Sequence, residues 1–172
     1  MPETPGFNPT SLIEEHQAGV WRYLRALGCE ASQAEDLTQE VFIAVLQRPF
    51  QDYNSAATAA YLRRTAYNMF ISDQRRNGRM ITVEELEVVD TRWAELAGSD
   101  NGDVLLESLR DCLHGLSDRA RRALELLFQE RQTRASIADA LEISEHGVKN
   151  LMQRAKKQLR ECIENKMASG NE

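Results

Sequence analysis

Lys149, Asn150, Gln153, Arg154 and Lys157 place long hydrogen-bond donors three or four residues apart near the end of the chain. On a helix they share one face. Cations there can neutralise phosphates, and planar amide and guanidinium groups can read base edges in a groove. Val148, Met152, Ala155, Leu159 and Ile163 recur with the same period and form the apolar face of that helix. Just upstream, Ile137, Ala138 and Leu141 face inward on a shorter helix, Ile143 plugs the turn, and the Ser144 hydroxyl can cap the longer helix. Two helices and a tight turn with such a face make the pattern of a helix-turn-helix DNA reader. A plain helix pair with a solvated charged face is the competing reading.

Two further groups of side chains have chemistry to offer. Asp36, Gln39 and Glu40 lie one helical turn apart beside an apolar stripe of Leu37, Val41, Ala44 and Val45. Phe42, Ile43 and Leu46 widen that stripe beyond one core face. This is either a solvated acidic edge or a docking face for a basic helical partner. The stretch from Ala57 to Arg79 carries Arg63, Arg64, Arg75, Arg76 and Arg79 against Asp73 alone, and Tyr53, Tyr61 and Tyr67 are interleaved with the cations. Arginines hold phosphates while aromatic faces receive unstacked bases, so the group suits a single strand. A basic helix surface over core aromatics is the alternative.

Nothing assembles into a catalytic or metal constellation. Cys29, Cys112 and Cys162 are far apart, with no CxxC and no neighbouring histidine. They read as small buried hydrophobes rather than as a disulfide framework or a zinc site. His16, His114 and His146 are equally scattered, and no P-loop, GxGxxG or HExxH occurs. The expectation is a protein that is not an enzyme and needs no cofactor. No stretch approaches the roughly 20 apolar residues of a membrane span. The first residues lack the basic-then-apolar order of a signal peptide, which points to the cytoplasm.

The net charge of -6 over 172 residues hides a division along the chain. Residues 1–79 sum to -1, residues 80–118 to -8 and residues 119–172 to +3. The acid is concentrated in the middle and the last third is basic.

The elements that must position these groups are helical throughout. Residues 1–9 form a loose, proline-rich lead-in. Ser11 and Glu14 have capping-box spacing for a helix to about Leu27, burying Ile13, Val20, Leu24 and Leu27, with Gly28 as its stop. Ser32 and Glu35 repeat that spacing for a second helix ending before Pro49. Asn54 or Ser55 opens a third, with Leu62, Thr65, Ala66 and Met69 inward, closed by Asn77-Gly78. Residues 80–103 show no sustained helical period, are acid-rich and contain Gly98 and Gly102, so they read as a linker. Helix resumes from Val104 to about His114. Gly115 ends it, Ser117 caps a helix whose core is Leu124, Leu127 and Phe128, and Thr133 or a neighbour opens the helix-turn-helix. The fold class is all-α: two small helical domains, 10–79 and 104–166, joined by an acidic linker at 80–103, the second a helix-turn-helix domain.

In that order the segments resemble the small two-domain bacterial sigma factors of the extracytoplasmic-function (ECF) type, within the sigma-70 family. AEDLTQEVF and YLRRTAYN followed by RR are similar to the family's region 2. LSDRARRALELLFQE and IADALEISEHGVKNLMQRAKKQLR are similar to its region 4. The resemblance covers roughly residues 10–79 and 104–163. It implies that region 2 docks on the clamp helices of the largest subunit of core RNA polymerase through Asp36, Gln39 and Glu40. It implies that the third helix recognises the minus-ten element of promoter DNA and holds flipped-out bases. Tyr61 and Asn68 fall at family positions there, and Arg63, Arg64, Arg75 and Arg76 fit backbone contacts. Region 4 would place the last helix in the duplex minus-35 element, with His146, Lys149, Asn150, Gln153, Arg154 and Lys157 towards DNA. An anti-sigma protein is a further partner the resemblance implies, and no membrane span is called for. The linker would either cross the basic interior of the polymerase or serve as a solvated tether.

Several residues depart from the family pattern. Glu142 replaces the turn glycine, where a left-handed backbone costs on the order of 1 kcal/mol, so a reshaped turn is expected. Leu151 stands where arginine is frequent, and Glu145, His146 and Gly147 replace small or apolar residues at the helix start. Tyr61 replaces a common tryptophan, and Ser72 stands at an aspartate position with Asp73 one step later. The rival function is an independent helix-turn-helix transcriptional regulator with an N-terminal helical sensor or dimerisation domain. That protein would need neither the DLTQE face nor YLRRTAYN.

Overall fold

The computed structural model describes residues 7–48, 54–79, 82–98 and 100–170. Among them lie eight helices and no strand. They divide into two compact units, the first ending at Asp103 and the second starting at Val104. The lead-in before Phe7, the Pro49 stop and Tyr53 lie outside the described residues.

The first unit is built on α1 (Pro9–Ala26), α2 (Ala31–Leu46) and α3 (Ser55–Arg76), which pack on one another. Pro9 carries the φ a first helical turn needs and has no amide to satisfy, while Asn8 accepts from the Thr10 amide at 3.0 Å. The helix therefore starts ahead of Ser11, which lies inside it and is not its cap. The second capping box is likewise displaced: α2 begins at Ala31, behind Glu30, with no side-chain cap. Asn54 does cap α3, accepting from the Ala57 amide at 2.8 Å. Leu24, Val41, Leu62, Ala66 and Phe70 are completely enclosed between the three helices, each large side chain contributing about 1.5–3 kcal/mol by leaving water. The buried stripe of α3 is Thr58, Leu62, Ala66, Tyr67, Phe70 and Gln74, whereas Thr65 and Met69 are only half-buried.

A fourth helix, α4 (Val83–Ala97), occupies most of the segment read from sequence as an aperiodic linker. Thr82 caps it, accepting from the Glu85 amide at 3.3 Å. Leu86, Val89, Trp93 and Ala97 recur at helical spacing, and the first three pack against the core of the first unit. The Trp93 ring sits 5.9 Å from that of Tyr23, centroid to centroid. The acid of the segment lies on the remaining faces, apart from Asp90. Beyond α4 the chain is tied back to α1: Asn101 Nδ2 donates to the Glu15 carbonyl at 2.6 Å, and Arg22 donates to the Asn101 carbonyl at 3.1 Å and pairs with Asp103. Gly19 is where Asn101 comes down on α1. A Cβ there would meet the Asn101 side chain, which gives a mid-helix glycine its reason.

The second unit contains α5 (Asp103–His114, less its first residue), α6 (Asp118–Phe128), α7 (Arg134–Leu141) and α8 (Glu145–Ser169). Its core is made by Leu116, Ala120, Ala123, Leu124, Leu126, Ile137, Ala138, Val148, Met152 and Ala155. Phe128, expected in that core, is 59% exposed, because α6 ends there and the ring turns out under Lys156, 5.8 Å from its centroid. Cys112 and Cys162 form a disulfide between α5 and α8, with 5.9 Å between their Cα atoms. This corrects the expectation of isolated hydrophobes at both positions. Only the pairing of two helices distant in sequence brings them together.

Candidate functional site

Three polar faces carry the residues singled out by the sequence. On α2, Asp36, Gln39 and Glu40 are all exposed, while Leu37, Thr38, Val41 and Phe42 turn into the core. Beside the acidic face runs an open groove of about 760 Å³ between α1 and α2. Ile13 and Trp21 line it from α1, and Gln39, Phe42, Ile43 and Leu46 from α2. Ile43 is 56% exposed within it, so part of the wide stripe is surface rather than core. Acid beside an open apolar groove suits a helix that is basic and apolar on one side.

On α3 the expected residues separate. Tyr61, Arg64 and Asn68 are exposed at intervals of three and four and share a face, and Arg75 continues it. Arg64 lies over the Tyr67 ring, 5.5 Å from its centroid. Burial raises the Tyr67 phenol above its ordinary pKa, the charges of Glu87 and Asp90 push it further, and Arg64 opposes them. Arg76 is exposed and pairs with Asp73 at 3.8 Å. Arg63 stands apart. It is only 26% exposed, and its Nε meets Asp90 of α4 at 3.3 Å. Asp90 also accepts from the Tyr23 hydroxyl at 2.6 Å, so one carboxylate joins α1, α3 and α4. The Tyr23 phenol is raised strongly, first by burial and then by that hydrogen bond. Sequence reasoning misses Asp90 because it takes the helix that carries it for a linker. The Thr82-to-Glu85 capping spacing and the recurrence of Leu86, Val89, Trp93 and Ala97 are the signals that could have found it.

The helix-turn-helix forms as its spacing predicts. Thr133 caps α7, accepting from the Ser136 amide at 3.2 Å, and Ser144 caps α8, accepting from the Gly147 amide at 3.0 Å. Glu142 takes the left-handed conformation itself, with φ 56° and ψ 44°. The turn is therefore kept, not reshaped: the Ile143 amide returns to the Ala138 carbonyl at 3.0 Å, which closes α7 in the manner of a glycine stop. His146, Lys149, Asn150, Gln153, Arg154 and Lys157 are all exposed, on the face opposite Val148, Met152 and Ala155. Lys157 is shared with Glu161 at 3.9 Å. Leu151 leans on the core as a partly buried side chain. Among the described residues no group of His, Cys, Asp or Glu could hold a metal, and no helix is long and apolar enough to cross a membrane.

Residues 12–80 match the sequence profile of sigma-70 region 2, and residues 106–159 match that of sigma-70 region 4. Over 153 residues the chain is 33% identical to the ECF RNA polymerase sigma factor SigL of Mycobacterium tuberculosis, covering 87% of this chain and 85% of the relative. The chain belongs to the ECF sigma factors. It is also 31% identical over 156 residues to the ECF RNA polymerase sigma factor SigE of Mycolicibacterium smegmatis, covering 88% of this chain and 60% of that protein. A chain in a 1.8 Å structure of an RsbN–BldN complex aligns over 90% of both at 20% identity, with a TM-score of 0.33 too low to add to the assignment. In this ECF sigma factor, α1, α2 and α3 fall in region 2, and most of α5, α6, α7 and the first part of α8 in region 4. Helix α4 lies between the two matched segments.

Proposed function

We propose that this ECF sigma factor binds core RNA polymerase and directs it to promoters by reading two separate elements. The observation that carries the reading is one chain in which sigma-70 regions 2 and 4 each coincide with an exposed face of suitable chemistry. The acidic face of α2, with Asp36, Gln39 and Glu40, docks on the clamp helices of the largest polymerase subunit, and the adjoining groove takes their apolar side. Tyr61, Arg64, Asn68, Arg75 and Arg76 receive the minus-ten element as a separated strand, ring and amide towards bases and guanidinium groups towards phosphates. Arg63 is better employed within region 2, where Asp90 holds it. His146, Lys149, Asn150, Gln153, Arg154 and Lys157 enter the major groove of the minus-35 element, as a second helix of this motif does. Such a protein works in the cytoplasm. An anti-sigma protein that covers the α2 face would keep it silent.

Charge reversal tests the docking claim. Asp36→Lys with Glu40→Lys is expected to abolish co-purification with core polymerase while leaving helicity unchanged, since both side chains are exposed. Undiminished binding by the doubly reversed protein would show that α2 is not the docking face.

A further inference from the structure

Helix α5 is attached to its unit differently from the other helices. The core is made by α6, α7 and the first part of α8, and α5 adds to it only the partly buried Leu113. It runs antiparallel along the last part of α8 instead. Cys112 meets Cys162, Asp111 meets Lys166 at 3.2 Å, and the Ser108 hydroxyl lies 3.9 Å from the Met167 sulfur. The ion pair is exposed on both sides and therefore weak, and a hydroxyl-to-thioether contact is weaker than an ordinary hydrogen bond. The disulfide is the one covalent link in this seam. Cys112 is buried while Cys162 is half-buried, so the bond can be reached from the α8 side.

We propose that Cys112 and Cys162 form a reversible thiol–disulfide site that decides whether α5 stays docked on α8. The reagent class is a dithiol reductant, with a disulfide-bearing oxidant for the return. A reductant thiolate attacks Cys162 Sγ, the Cys112–Cys162 bond breaks, and Cys112 leaves as a thiolate that takes up a proton. The second thiol of the reductant then attacks the mixed disulfide, freeing Cys162 and leaving the reductant oxidised. Two electrons and two protons pass to the protein. In a reducing compartment disulfides are usually transient, catalytic or redox-sensing, and a peripheral seam lets this one open without breaching the core. The third cysteine cannot take part: Cys29 is buried, and burial and the nearby Asp73 push its thiol up to about 12 against the weaker opposition of Arg25. Once released, α5, with which the region 4 match begins, extends the tether between region 2 and the helix-turn-helix and lengthens the reach between the two promoter elements. That last consequence rests on the proposed function. The redox site and the release of α5 do not.

The test uses the full chain equilibrated in thiol–disulfide buffers of increasing reducing power, then acid-quenched, denatured and alkylated. Mass spectrometry should find one alkylated cysteine, Cys29, in the oxidised protein and all three after reduction. Hydrogen exchange on parallel portions, taken from the same buffers before the quench, should show α5 amides exchanging on the order of tenfold faster after reduction, with α6 and α7 unchanged. Cys112→Ser and Cys162→Ser should each reproduce the reduced pattern without reductant. If Cys112 and Cys162 stay alkylatable in the most oxidising buffer, the site does not exist. If the bond forms but α5 is equally protected in the oxidised, reduced and Cys→Ser proteins, it does not control docking.

Discussion

Glu142 holds a left-handed backbone at the turn between α7 and α8. A side chain there costs about 1–2 kcal/mol, and glycine returns part of that as entropy in the unfolded chain. Glu142→Gly is therefore expected to stabilise the second unit by roughly 0.5–1 kcal/mol, read from urea denaturation followed at the region 4 helices. Asp90 makes the opposite case. It accepts from the buried Tyr23 hydroxyl and pairs with Arg63. Asp90→Ala should cost roughly 1–3 kcal/mol by stranding the phenol, and Tyr23→Phe should cost less because it removes the stranded group as well. The phenols of Tyr23 and Tyr67 are both raised above the ordinary 10.0. Their stabilisation is complete below that pH and is lost as pH climbs beyond it, where the unfolded chain ionises first. Alkaline titration should show these two rings ionising together with loss of helix.

At the scale of elements, α8 turns one face to the core and leaves the other, basic face exposed. Lys149→Ala and Arg154→Ala are each expected to weaken binding to duplex minus-35 DNA, with a salt slope smaller by about one if the lost contact is to phosphate. Indifference of both binding and transcription would mean that another face of α8 reads DNA. The amphipathic period of this helix and the hydroxyl caps at Thr133 and Ser144 are readable from sequence because local chemistry sets them. Helix α4 escapes that reading, although its cap and its Leu86-to-Ala97 period are also local. Its many carboxylates and the glycines beyond it mask the period. The Cys112–Cys162 pairing is beyond a sequence reading for a different reason. It depends on α5 lying along the end of α8, across a separation of 50 residues, and no spacing rule reports that.

At the scale of the molecule, the three polar faces gain meaning from standing on one chain. A helix-turn-helix by itself fits many DNA-binding proteins. An acidic face and an arginine–tyrosine face on a separate unit fit a protein that brings polymerase to a promoter. The matches to regions 2 and 4 are legible as motifs in order, whereas which arginines remain outward is set by tertiary packing, as the pairing of Arg63 with Asp90 illustrates. The most direct measurement is reconstitution of the full chain with core RNA polymerase on genomic DNA, with transcript starts then mapped. The expected result is starts that depend on the added chain and lie downstream of a shared two-part sequence, lost together with polymerase binding in the Asp36→Lys, Glu40→Lys protein. Tight binding to a duplex operator without polymerase, with no new transcript starts when polymerase is present, would contradict it.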